Sequence, residues 1–173
     1  MANTFELIAS STVGSGGASS IDFTSIPSTY TDLVLKLAGR STTTDPDRDA
    51  VLCSIKFNNT STTYTSKWLR GNGSTAASFS GGGALIGYTP SSAFTSNTFS
   101  NTEVYIPSYT GSQQKSYSVD NVADQNVAAY DSVMGIAAGL WDGTSAINRI
   151  TLTLGYGNFA QYSTAYLYGV KNA

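Results

Sequence analysis

The chain has 173 residues, 12% of them charged, with 9 Lys and Arg against 11 Asp and Glu and a formal net charge of −2. One domain over residues 1–173 is expected, because a chain of this length can bury roughly 70% of its unfolded surface; no window gathers the basic residues that would neutralise a row of phosphates, which argues against nucleic acid as a partner. With no His and one Cys, the usual nucleophile–base triads and tetrahedral zinc shells are excluded.

At so low a charge, solubility falls to Ser, Thr, Asn and Gly, as in Asn58-Asn59-Thr60-Ser61-Thr62-Thr63. Such residues compete for backbone hydrogen bonds and disfavour helices, while Thr and Tyr suit pleated strands. The first residues show no basic segment followed by an apolar one, and no run approaches the roughly 20 apolar residues that span a bilayer, so neither export nor membrane contact is expected.

In chain order, residues 5–11 and 20–23 read as short strands separated by Gly14-Ser15-Gly16-Gly17. Residues 1–20 are a candidate contact arm. Over residues 30–40, Leu33, Leu35 and Leu37 fall on one face of a strand and Asp32, Lys36 and Ala38 on the other. The next run places Val51, Cys53, Ile55 and Phe57 inward, which makes Cys53 a small core hydrophobe.

Between these two strands, Asp45-Pro46-Asp47-Arg48-Asp49 has the acidic alternation of a calcium loop. The expected sixth-position Gly is Ala50 and the twelfth-position Glu is Lys56, so a solvated loop is the better reading. Residues 64–70 form another strand. The Gly- and Ser-rich stretch 71–101 reads as a loose loop or arm, apart from a short strand at 84–88. Neither Gly14-Ser15-Gly16-Gly17 nor Gly81-Gly82-Gly83 is followed by Lys-Ser/Thr and a helical pattern, so neither is a phosphate cradle.

Further strands are expected over residues 103–106, 115–122, 132–141 and 165–171, with Ile150, Leu152 and Leu154 alternating against Thr151 and Thr153 on one more. Residues 120–130 have room for one helical turn. Residues 132–140 read as a buried strand, whose Gly135, Ala137, Ala138 and Gly139 admit another backbone or sheet. About ten short strands with long Gly/Ser/Thr-rich loops make an all-β antiparallel β-sandwich, jelly-roll-like, the expected fold class.

No constellation in the chain carries catalysis, a cofactor or a metal, so an enzyme is not expected. The chemical excess is in its 11 tyrosines, each with a large apolar face and a polar tip. Phe5, Tyr88, Tyr105, Tyr109, Tyr117, Tyr156 and Tyr162 are the candidate interface residues. Exposed, they suit protein contacts or sugar stacking, with Trp141 available for a glycan groove; partly buried, they are sandwich aromatics.

Two stretches, Ile21-Asp22-Phe23-Thr24-Ser25-Ile26-Pro27-Ser28-Thr29-Tyr30-Thr31-Asp32-Leu33-Val34-Leu35 and Ile147-Asn148-Arg149-Ile150-Thr151-Leu152 running on to Ala165-Tyr166-Leu167-Tyr168-Gly169-Val170-Lys171, resemble small jelly-roll virion proteins of tailed bacteriophages. In that pattern a strand ends at a Phe-Thr-x-Ile-Pro corner, a Tyr-x-x-Leu run opens the next, and an aromatic strand closes the chain. The resemblance implies a capsid decoration (cement) protein on the virion surface, made in the host cytoplasm. Its implied partners are the major capsid protein and copies of itself in a homotrimer. A tail or fibre module binding host glycans, and a free carbohydrate-binding module, are the alternatives.

Overall fold

The computed structural model describes residues 4–45, 50–60, 63–124 and 132–171. Its strands are β1 (Phe5–Thr12), β2 (Ser20–Phe23), β3 (Asp32–Ala38), β4 (Ala50–Phe57), β5 (Tyr64–Gly71), β6 (Ala76–Gly81), β7 (Leu85–Pro90), β8 (Asn101–Ile106), β9 (Lys115–Ala123), β10 (Val133–Trp141), β11 (Ile150–Leu154) and β12 (Thr164–Val170). No helix forms among the described residues.

Alternation decides most of these elements. Val51, Cys53, Ile55 and Phe57 are buried along β4 while Leu52 and Lys56 are exposed, because successive side chains of a strand point to opposite faces. Lys115, Tyr117, Val119, Asn121 and Ala123 are likewise buried on β9. All pairings are antiparallel, in two sheets: β1-β12-β3-β8-β9-β10-β5-β6 and β2-β11-β4-β7. The expected antiparallel β-sandwich is thus the observed architecture, with twelve strands in place of about ten.

The pairings are nested. When the hairpins β5–β6 and β9–β10 are set aside, the first remaining strand pairs with the last (β1 with β12) and the second with the second-last (β2 with β11). The middle four pair as β3 with β8 and β4 with β7. The two hairpins widen only the larger sheet. Between the sheets lies one core, with Leu33, Leu35, Ile55, Phe57, Ile106, Trp141, Ile150 and Leu167 among its fully enclosed members.

Residues 5–12 are β1, the strand expected over 5–11, paired with β12, and Ala18 bridges Phe159, so the segment is docked on the sandwich. In residues 71–101, β6 is strand where loop was expected, and β7 takes the place of the short strand expected over 84–88. β6 escaped notice because Ala-Ala-Ser-Phe-Ser-Gly has no apolar alternation. It exists through the turn before it, where Asn72 Oδ1 accepts from the Ser74 and Thr75 amides and Gly73 takes φ +84°.

The connection after β7 is held by a buried cation. The Arg40 guanidinium donates to the carbonyls of Phe94, Thr95 and Thr98 and to the Thr98 hydroxyl at 2.9–3.1 Å. Desolvation lowers its pKa. Carbonyl dipoles thus stand where a carboxylate would otherwise be required.

The expected helical turn at 120–130 is strand as far as Ala123, and residues 125–130 of it lie outside the described residues. Residues 46–49 of the acidic loop do so as well.

Candidate interaction surface

The larger sheet turns one face to the core and the other to solvent. Cross-strand register places Val122 opposite Met134, Ile136 opposite Leu69, and Ala138 opposite Lys67 on the solvent face. Met134 is 64% exposed, Ile136 57%, Leu69 51%, and Val122 and Leu140 38% each. With strands about 4.8 Å apart and rising about 3.4 Å per residue, these five side chains cover a flat patch of roughly 300 Å². Contiguous apolar patches of that size on a soluble domain are commonly binding surfaces.

Across the same face runs a polar ladder, Lys36 opposite Glu103 and Glu103 opposite Asp120, with a Lys36 Nζ–Glu103 Oε2 ion pair of 2.8 Å. That partnership raises the Lys36 pKa, the hydrogen bond that Lys36 donates to Glu103 being the largest cause. Beyond the ladder, on β1 and β12, lies a second exposed apolar group of Phe5, Leu7 and Tyr166, while Tyr105 stands on β8 beside Glu103. The face therefore reads apolar, charged, apolar, from β5 to β1.

The small residues of β10 explain which side of it faces out. Gly139 lies under the Tyr117 ring, where an added Cβ would sit 2.0 Å from Cζ, and Gly135 lies close to Trp68. Aromatic rings of the neighbouring strands β9 and β5 fill the space that Gly and Ala leave. The large aliphatics Met134, Ile136 and Leu140 are therefore turned to solvent. The expectation of a buried strand holds for one face only, since Met134, Ile136, Ala138 and Leu140 are exposed; on the other face the small residues admit the rings of neighbouring strands and the close approach of β7 from the smaller sheet.

The tyrosines divide into three groups. Tyr109 and Tyr117, expected at an interface, are 0% and 2% exposed, and both belong to the core. The Tyr109 hydroxyl donates to the Pro27 carbonyl and so holds the Ile26-Pro27 corner; burial raises its pKa. Tyr117 packs edge-on to Phe57 at 5.9 Å, and burial likewise pushes its phenol upward. Trp141 is fully buried beside the same ring, at 5.5 Å, so it lines no glycan groove.

Tyr88 is half-buried at the sandwich margin, where its hydroxyl accepts from Arg70 at 2.7 Å and its ring lies edge-on to Trp68 at 6.3 Å. Trp68 stacks on Phe79 at 6.1 Å, and the Arg70 guanidinium lies over both the Phe79 and Tyr88 rings. Aromatic packing thus ties β5 and β6 to β7.

Phe5, Tyr105, Tyr156 and Tyr162 are 39–66% exposed, as expected of contact residues. Tyr105 donates to Asp32 Oδ2 at 2.9 Å, which raises its pKa. Tyr156 and Tyr162 share the β11–β12 connection, and Tyr162 has φ +70°. The seven candidates thus do not converge on one site. Leu7, Leu69, Val122, Met134, Ile136, Leu140 and Tyr166 were missed; the signal was present in β10, where Met134, Ile136 and Leu140 fall on one parity and Gly135, Ala137 and Gly139 on the other.

Cys53 is fully enclosed, and burial pushes its thiol up to about 12, in keeping with a structural residue. Among the described residues no three His, Cys, Asp or Glu side chains gather to hold a metal ion.

The two stretches that carry the phage resemblance are neighbours in space. β2 pairs with β11 and β3 with β12, and the Ile26 amide donates to the Asn148 carbonyl at 2.9 Å. Arg149 meets Asp22 at 2.6 Å, and Thr151 and Ser20 donate to the same carboxylate. Desolvation raises the Asp22 pKa, but these hydrogen bonds together outweigh it and hold the pKa below the usual carboxylate value.

Compared with known proteins, the chain matches no family model, no curated protein sequence and no solved structure.

Proposed function

We propose that this chain is a non-enzymatic virion structural protein, a capsid decoration protein that binds and stabilises the lattice of a major capsid protein through the solvent face of its larger sheet. The observation that carries the proposal is the exposed aliphatic patch of Leu69, Val122, Met134, Ile136 and Leu140, on a chain whose chemistry otherwise offers only contacts. The nested strand pairing supports a jelly-roll reading of the sandwich, an architecture used by viral capsid and lectin domains alike. Binding only the assembled lattice stabilises that state by mass action, with no catalysis.

Binding of the purified protein to undecorated capsid shells, with Ile136→Lys as the comparison, tests this reading. The wild-type chain is expected to saturate the shells and raise their disassembly temperature. Ile136→Lys is expected to lose binding while its unfolding midpoint stays within about 0.5 kcal/mol, as for other exposed substitutions. Full binding by the variant, or none by the wild type, refutes the proposal.

The exposed Tyr156 and Tyr162 on one connection favour a second reading, a tail or fibre module stacking host sugars. Glycan-array binding lost on Tyr162→Ala, in a protein present at tail-like copy number, would replace the first reading with this one.

A further inference from the structure

Four strands end the two sheets: β1 and β6 the larger, β2 and β7 the smaller. An edge strand presents unpaired N–H and C=O groups, and folded proteins blunt such edges with charge, proline, bulges, short length or a cover. Three of the four are blunted. β1 carries Glu6, ion-paired with Lys171 at 3.1 Å, and a register shift between Leu7 and Ala9. β2 has four residues and carries Asp22. β7 has a register shift opposite Cys53/Ser54 and ends at Pro90, and the Asn121 side chain takes both the amide and the carbonyl of Tyr88.

β6 has none of these devices. Ala76–Gly81 contains no charge and no proline, its register with β5 is unbroken, and among the described residues no strand lies on its far side. Ala76, Ala77, Ser78 and Ser80 are exposed. Such a neutral, regular edge is a template for another strand.

We propose that β6 pairs antiparallel with β6 of a second copy of this chain, joining the two larger sheets into one continuous sheet about a twofold axis. A strand laid antiparallel on itself matches donors to acceptors under that axis, and the contact closes without leaving β6 open to a third copy. The strand's neutrality suits this occupant in particular, since a charged edge would set like charges opposite one another. Opposed residues must share a face, so the axis lies midway between the two strands, level with a residue of β6 that faces its own copy. Centred on Phe79, it sets the two Phe79 rings side by side and extends each Trp68–Phe79 stack across the seam.

The proposal rests on the edges and stands whether or not the chain decorates a capsid. It replaces the trimer implied by the phage resemblance with a dimer. Each protomer's aliphatic patch would lie near the seam on one shared face, so a lattice would be met bivalently.

Sedimentation equilibrium over about 1 to 100 µM tests the pairing, with Ser78→Lys on β6 and Ser10→Lys on the β1 edge as control. The wild-type chain and Ser10→Lys are expected to be dimers; Ser78→Lys is expected to dissociate at least about tenfold more readily, with unchanged circular dichroism. A monomeric or trimeric wild type, a Ser78→Lys dimer as tight as wild type, or equal dissociation by Ser10→Lys overturns the proposal. Should Ser78→Lys fail to fold, hydrogen exchange on the wild-type chain decides. Among residues 76–81, the amides that face away from β5 decide: protection that rises with dimer concentration supports the pairing, and protection independent of concentration overturns it.

Discussion

Replacing Asn121 tests how the two sheets are held in register. Asn121 is fully buried on β9 of the larger sheet, yet it accepts from the Tyr88 amide at 2.9 Å and donates to the Tyr88 carbonyl at 3.0 Å, both on β7 of the smaller sheet. Its remaining N–H reaches the Thr102 hydroxyl at 2.8 Å. The carboxamide therefore stands in for a missing strand along the free edge of β7. Asn121→Ala removes three hydrogen bonds at about 1 kcal/mol net each, and leaves partners partly desolvated, for an expected loss of about 3–4 kcal/mol.

Gly87 makes the contact possible. At φ +126° it occupies backbone space that side chains disfavour, and an added Cβ would lie 2.2 Å from Asn121 Cγ. Gly87→Ala therefore combines strain of about 1–3 kcal/mol with overpacking of about the same size. In the double variant the clash is gone and the strain remains, so the two losses should sum to more than the double variant shows, by about 1–3 kcal/mol. Equilibrium urea unfolding at neutral pH measures all three. An Asn121→Ala loss below about 1 kcal/mol, or strict additivity with Gly87→Ala, would falsify the clamp.

Other expectations are independent of this one. Gly139→Ala drives a methyl into the Tyr117 ring, which is boxed in by Phe57, and should cost about 2–3 kcal/mol in the same unfolding assay. Cys53 should resist maleimide at pH 8 in the native protein and react at the rate of global unfolding, measured by mass spectrometry; prompt labelling would contradict its burial. Asp22 has a lowered folded pKa, so its contribution is present above its unfolded value near 3.8 and is lost as pH falls through the folded one. Acid titration of stability should therefore show a steeper fall below pH ~4 in the wild type than in Asp22→Asn, by less than about 1 kcal/mol because the pair is partly exposed.

Much of the sandwich was legible because it depends on local alternation. Eleven of the twelve strands fall where strands were expected, most clearly β3, β4 and β11, where apolar residues recur at every second position. The exception, β6, has one large apolar side chain, Phe79, and is made a strand by its turn and by pairing with Trp68 and its neighbours on β5. The contact surface was less legible. A tyrosine in sequence shows equally well as core or interface, and Tyr109 was drawn inward by one acceptor, the Pro27 carbonyl, some eighty residues away.

By itself the sequence determined the class of fold, the inward faces of strands such as β3, β4 and β11, and the removal of His-based chemistry, because these follow from period-2 patterning and from residue types present or absent. Only the tertiary structure decided which face of β10 is open, which edge is unguarded, and that Arg40 and Asn121 spend their polarity on distant backbone. Those outcomes depend on which strands become neighbours, and the nested pairing brings together residues far apart in the chain.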